Sequence, residues 1–159
     1  MTPSFSRFGV VGGGAWGTAL AQLIGADGTP VRLWAREEEV VSAINTTHRN
    51  ALFLPEAPLS PSVSATVDLA DLAGLDALLV VVPVPYLRAV LAQLPPDNAP
   101  LIFCSKGMEA GSFAFPVDMA RDTFPARPRA VLSGPTFAHE VAAGLPTAIT
   151  LAADDPVLA

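Results

Sequence analysis

Gly12-Gly13-Gly14-Ala15-Trp16-Gly17 constrains this chain more than any other stretch. It fits G-x-G-x-x-G. It follows the apolar run Phe8 to Val11, and Trp16, Leu20, Leu23 and Ile24 then recur at helical spacing. A glycine turn between a strand and a helix suits a dinucleotide. Gly12 permits the tight turn, Gly14 lets the backbone approach a pyrophosphate at the helix N-terminus, and Gly17 lets the helix pack closely on its strand. The alternative is a glycine-rich turn in a generic α/β protein. The stretch also mimics a secretion signal, because Phe8 to Ala26 is uncharged, follows Arg7 and contains Ala19-Leu20-Ala21. Glycines at 9, 12, 13, 14, 17 and 25 interrupt it. The turn accounts for their spacing, so a cytoplasmic protein without membrane insertion is expected.

The rest of the chain alternates short apolar runs with helix-like stretches. Val31 to Ala35 reads as a strand and Glu37 to about Asn45 as a helix with acids in its first turn. Thr46 to Val63, broken by prolines, reads as a loop. A short strand near Ala65 to Val67 and a helical turn at Asp68 to Ala73 follow. Ala77 to Val82 is apolar without alternation, as a central parallel strand covered on both faces would be. Tyr86 to Leu94, Phe113 to Phe124 and Phe137 to Ala143 read as helices, with Pro116 in a first turn or before it. Leu101 to Cys104, Ala130 to Leu132 and Thr147 to Leu151 read as strands. This order implies an α/β fold: an open, mostly parallel sheet with helices on both faces.

Composition removes several function classes. At 159 residues and 51% hydrophobic, the chain suits one domain, and one of this size buries roughly 70% of its unfolded surface. Fifteen acids against nine bases give a net charge of −6, and the bases are scattered with one lysine among them. No nucleic-acid partner is expected. The single cysteine, Cys104, forms no intrachain disulfide, which fits a reducing compartment. No metal-ligand spacing occurs. The chain stops at Ala159 without a terminating signal, so a fragment cut at a domain boundary is expected.

Ligands of an open α/β sheet bind beyond the carboxyl ends of its strands. The glycine loop, Arg36, Pro83, Ser105-Lys106-Gly107 and Ser133-Gly134-Pro135-Thr136 each follow an expected strand. They should open onto one crevice. An NAD-selective site usually carries an acid about 20 residues beyond the glycine motif. Here Leu33-Trp34-Ala35-Arg36 stands there, and Arg36 suits a 2′-phosphate or an adenine face. NADP is favoured, with NAD open; the alternative is a surface arginine paired with a glutamate. Lys106 would act as a point charge on a phosphate or carbonyl oxygen, or else is a surface lysine. Gly134 and Thr136 would hold a substrate phosphate at a helix start, and Thr136 would also serve as an ordinary N-cap. His48 and His139 read as solvated, Cys104 as buried.

Residues 9–21, Gly-Val-Val-Gly-Gly-Gly-Ala-Trp-Gly-Thr-Ala-Leu-Ala, resemble the opening of bacterial NAD(P)-dependent glycerol-3-phosphate dehydrogenases. So do Leu-Trp-Ala-Arg (33–36), Phe53-Leu54-Pro55, Ser-Lys-Gly-Met-Glu (105–109) and the long block Ser133 to Ala148. The resemblance implies a Rossmann-type doubly wound domain over 1–159, with a helical substrate domain absent. It implies that Gly12, Gly14, Ala15, Trp16, Gly17, Arg36, Phe53, Lys106 and Ala138 lie along the cofactor. Lys106, Gly134 and Thr136 would contact dihydroxyacetone phosphate or sn-glycerol 3-phosphate. The implied reaction is reversible hydride transfer, with the acid–base lysine in the absent domain, feeding glycerophospholipid synthesis. These residues alone would then bind cofactor without catalysing, and a homodimer of the full-length protein stays open. Family members often carry Ser at position 15, Tyr at 53 and Ser at 136, so only backbone contacts carry over at Ala15 and Phe53. Two alternatives remain: another β-hydroxyacid or ketopantoate-type reductase, and a non-enzymatic dinucleotide-sensing module.

Overall fold

Val10 and Val11 are neighbours in sequence and both fully buried, yet they serve opposite faces of one sheet. The computed structural model describes residues 5–156 and 158. In it, β1 (Phe8–Val11) runs parallel between β2 (Val31–Trp34) and β6 (Ala77–Val80), with Val10 in register with Leu33 and Leu79. Beyond β2 lies β5 (Val63–Thr66); beyond β6 lie β7 (Leu101–Phe103) and β8 (Arg129–Ser133), all parallel. The outermost strand, β9 (Thr150–Ala153), completes the order β5-β2-β1-β6-β7-β8-β9.

Side chains alternate across a strand, so an unbroken apolar run needs cover on both faces. On one face α1 (Ala15–Gly25) and α2 (Glu38–Thr47) bring Leu20, Ala21, Val40 and Ile44 against Val10, Leu33 and Leu79. On the other, α3 (Val84–Leu91) and α4 (Pro116–Thr123) bring Leu87, Leu91 and Met119 against Val11, Leu78, Val80 and Phe103. Each fully buried Leu stabilises the fold by about 1.5–3 kcal/mol, so both layers are needed to hold the central strands. Pro85 and Pro116 sit in the first turns of α3 and α4, where a missing N–H costs nothing. The doubly wound, mostly parallel sheet expected from the sequence is present.

Two elements differ from expectation. Residues 46–63 are not a loop: α2 continues through Thr47, and β3 (Arg49–Asn50) and β4 (Leu54–Pro58) form an antiparallel hairpin. Pro55 and Pro58 erase the strand signature. The hairpin exists because Leu54 and Ala57 are buried against Ala19 of α1 and Val141 of α5 (Ala138–Ala142). The last strand begins at Thr150 and runs antiparallel to β8, with Ser133 opposite Thr150. Because α5 packs on α1 and the hairpin, the chain stays at the carboxyl edge of the sheet and re-enters from there. A parallel strand would require a crossover to the opposite edge.

Asp76 ties the first described residues to the start of β6. Its carboxylate accepts from the Ser6 N–H, the Ser6 hydroxyl and the Arg7 N–H, each at 2.9 Å. Those bonds, the Ser6 N–H foremost, lower its pKa from 3.8 to about 2. A depressed carboxyl contributes stability above its unfolded value and loses it as pH falls toward its folded value. Asp76→Asn should therefore melt below wild type at pH 7, and the gap should narrow as pH drops from 3.8 toward about 2. A gap that stays constant through that window in thermal melts contradicts this account.

Candidate functional site

The glycine turn leaves β1 in a conformation that few residues adopt. Gly12 has φ +129°, its N–H donates to the Trp34 carbonyl at 3.0 Å, and a Cβ there would press on Val81. Gly17, in the first turn of α1, rests on that turn; a Cβ would collide with the Gly12 carbonyl oxygen. Gly14 is the N-cap of α1, with no side chain capping the helix. Beyond Gly14 and its chain neighbours, no atom lies within 4 Å of the place a Gly14 Cβ would take. Packing therefore demands glycine at 12 and 17, whereas Gly14 borders open space. First-turn N–H groups of a helix have no partner within it, so this end is a ready anion cradle. The residues fit a dinucleotide pyrophosphate.

The cradle stands where the strand order reverses, since β1 borders β2 on one side and β6 on the other. An open sheet has its ligand crevice there. The parallel strands bring residues 12–14, 35–36, 81–83, 104–107 and 134–136 to the same carboxyl edge, as the sequence predicts. A concavity of about 230 Å³ lined by Arg121, Arg129 and Asp154 lies apart from this edge, and none of those five turns lines it.

Arg36, with 76% of its side chain exposed, pairs with Glu37 at 3.1 Å. This is the arginine–glutamate pairing that the sequence left open as the alternative, and it puts the Glu37 carboxylate at this strand end. Exposed pairs of this kind are worth about 0–1 kcal/mol, so a phosphate can displace it. Lys106 Nζ donates to the Gly134 carbonyl at 3.4 Å, joining the turns after β7 and β8. Gly134 is also closely approached by Ile149, whose Cα would lie 3.1 Å from a Cβ at 134. Thr136 lies beside them but is not an N-cap: Phe137 holds that position, without a side-chain bond, before a helix of only five residues. Ala15, Trp16 and Ala138 pack on one cluster with Ala19, Leu54 and Val141. Phe53, 39% exposed, sits between β3 and β4, its N–H bound by Asn50 Oδ1 at 3.1 Å.

Sequence reasoning missed the polar groups that hold these turns. Asn50 and Thr18 are fully buried, and Asn50 Nδ2 donates to Gly13 O at 2.8 Å and to Thr18 Oγ1 at 2.7 Å. Their only signal is polarity at positions that proved to be buried. Glu109, inside the 105–109 block, takes a bidentate grip from Arg88 at 2.7 and 2.9 Å and a bond from the Ser112 hydroxyl. Those bonds, Arg88 foremost, lower its pKa. They close the loop that follows Lys106. Ser105 Oγ donates to Val82 O at 2.6 Å, bracing the same loop against the end of β6. Cys104 is buried, and burial pushes its thiol up to about 12, so it is no nucleophile at neutral pH. Among the described residues no cluster of His, Cys, Asp or Glu suits a metal ion.

The glycines predict unequal stability effects. Gly17→Ala should cost at least about 2 kcal/mol, because the clash is with backbone. Gly14→Ala should cost less than about 1 kcal/mol, since its φ of −68° and open surroundings accept a methyl group and only the poorer N-cap preference of alanine counts against it. Urea denaturation of both variants tests this; equal losses would contradict it.

Known proteins share this arrangement. The family described as NAD-dependent glycerol-3-phosphate dehydrogenase N-terminus matches residues 7–159. The glycerol-3-phosphate dehydrogenase (NAD(P)+) 1 of Sphingopyxis alaskensis is 78% identical over 98% of this chain and 47% of its own length. The corresponding protein of Caulobacter vibrioides is 51% identical over 98% and 48%. The crystal structure of glycerol-3-phosphate dehydrogenase from Coxiella burnetii superimposes with a TM-score of 0.87 at 32% identity, covering 96% of this chain and 48% of that one. The chain thus spans about half the length of the curated relatives it matches. Among the described residues no helix is long and apolar enough to cross a membrane. A glycine cradle at the switch point, a doubly wound sheet and a match from residue 7 to residue 159 together place this chain in the NAD-dependent glycerol-3-phosphate dehydrogenase family, in its N-terminal part.

Proposed function

We propose that residues 1–159 are the NAD(P)-binding half of an oxidoreductase that interconverts dihydroxyacetone phosphate and sn-glycerol 3-phosphate. The observation that carries this reading is the helix N-terminus left open at Gly14, at the strand-order reversal, in a chain of this family. Gly12, Gly14 and Gly17 shape the cradle, and the first-turn N–H groups at Ala15 and Trp16 face the pyrophosphate. Phe53 and Ala138 flank the cofactor from the hairpin and α5. Arg36 leaves Glu37 for the 2′-phosphate, which makes NADP the preferred form. The bound nicotinamide supplies or accepts a hydride. Lys106, held beside Gly134, places a cation at the substrate side, where it stabilises charge developing on the ketone oxygen or held by the phosphate. Thr136 offers its hydroxyl next to that cation.

The acid–base group comes from a second half of the intact protein, as the doubled length of the relatives supports. Family membership favours this reading over a ketopantoate-type reductase. The Lys106–Gly134 pair favours an enzyme over a dinucleotide sensor, which needs no substrate-side cation. The intact protein is read as a cytoplasmic enzyme supplying glycerophospholipid synthesis.

Calorimetric titration with NADPH and NADH tests the reading. NADPH should bind more tightly, and Arg36→Ala should weaken it about tenfold, as loss of one charge-assisted bond predicts, while NADH changes less than about threefold. Equal losses would remove the selective role of Arg36. Binding of neither dinucleotide by wild type would overturn the cofactor reading.

A further inference from the structure

Asn50 stands on the hairpin, 37 residues from the glycine turn in sequence, and its amide is spent on that turn. One Nδ2 hydrogen goes to the Gly13 carbonyl and the other to Thr18 Oγ1. The Thr18 hydroxyl in turn faces the same Gly13 carbonyl at 3.4 Å. The remaining polar atom of Asn50, Oδ1, accepts from Phe53 N–H. Neither Asn50 nor Thr18 has any exposed surface. A buried amide costs free energy unless it is satisfied, and here both of its ends are.

The consequence lies in the peptide that joins Gly13 to Gly14. It is trans, and in a trans peptide the carbonyl and the N–H point in opposite directions. Holding the Gly13 carbonyl toward Asn50 therefore holds the Gly14 N–H away from Asn50. A flipped peptide would present a carbonyl oxygen where the N–H now points and repel an anion there. Glycines on both sides of this peptide leave it free to flip unless something outside the turn restrains it. Asn50 and the Thr18 hydroxyl that it binds both reach the Gly13 carbonyl, Asn50 at the shorter distance.

We infer that Asn50 is a positioning residue for the dinucleotide: it fixes the Gly13–Gly14 peptide with its N–H toward the pyrophosphate and couples Phe53 to the same amide. The inference rests on the cofactor reading proposed above. It adds a device that acts through the backbone without touching the ligand.

The test is the pH dependence of NADH affinity in the intact protein and two variants. NADH is the probe because it lacks the 2′-phosphate, which would titrate near about pH 6. Each variant is compared with wild type at the same pH, so that ionisable groups common to all three proteins cancel, and the wild-type amide itself does not titrate. In Asn50→Asp the ionised carboxylate faces the Gly13 carbonyl with no hydrogen to donate. Affinity at pH 8 should fall about tenfold or more. Toward pH 5.5 the buried carboxyl, its pKa raised by burial, regains a proton, and affinity should return to within about threefold of wild type. Asn50→Ala should lose about fivefold at every pH, without recovery.

A merely structural Asn50 would lower Tm in both variants and leave the affinity of the folded protein unchanged. Either variant binding NADH like wild type at pH 8, or an Asn50→Asp loss that persists at pH 5.5, would overturn the inference. If Asn50→Asp does not fold, Asn50→Ala at pH 8 decides it. If wild type binds neither NADH nor NADPH, the cofactor reading fails first, which is a different result from a tight-binding wild type with indifferent variants.

Discussion

Contact between Gly17 and the Gly12 carbonyl sets the position of α1 on the sheet, and the rest of the site is arranged around that position. Nothing larger than hydrogen fits at 17, so the helix N-terminus sits directly over the end of β1. The positive end of the helix thereby comes to the carboxyl edge, at the one place where neighbouring strands diverge in order. The same helix then receives α5 and the hairpin, through Ala15, Trp16, Ala19, Leu54, Ala138 and Val141. The two segments that flank the cradle therefore depend on one backbone-to-backbone approach.

Rigid and adaptable parts divide the molecule. Two apolar layers, one around Leu20, Leu33 and Ile44 and one around Leu87, Leu101 and Phe103, hold the strands. The turns that leave those strands carry the polar chemistry, and few of them are held by apolar packing. They are held by polar links: Asn50 to Gly13, Ser105 to Val82, the bidentate Arg88–Glu109 pair and Lys106 to Gly134. A site built this way gains its geometry from the sheet and keeps turns that can adjust to a ligand.

Most of this was legible in the sequence, for identifiable reasons. The run Ala77 to Val80 lacks alternation because both of its faces are buried, and that pattern marks a central parallel strand. The glycine spacing and the strand-end positions of Arg36, Lys106 and Gly134 in the sequence place them on one edge. The hairpin was not legible, because Pro55 and Pro58 look like loop residues until Leu54 and Ala57 find Ala19 and Val141. The antiparallel β9 was hidden for a related reason: its direction follows from where α5 docks, a long-range contact. The pairing of Arg36 with a glutamate was open to the sequence as an alternative, but which of the neighbouring acids reaches Arg36 is a side-chain geometry that spacing does not show. Asn50 was invisible as a structural group because a polar residue next to Arg49 reads as solvated.

The central claim is that the turn at residues 12–17 receives the dinucleotide pyrophosphate. Backbone amide shifts of isotope-labelled protein, followed while NADH is added, test it most directly. The account predicts the largest changes at Gly14, Ala15 and Trp16, with further changes at residues 81–83 across the crevice. Changes confined to the concavity beside β9, or a glycine turn that stays silent while NADH binds, would contradict it.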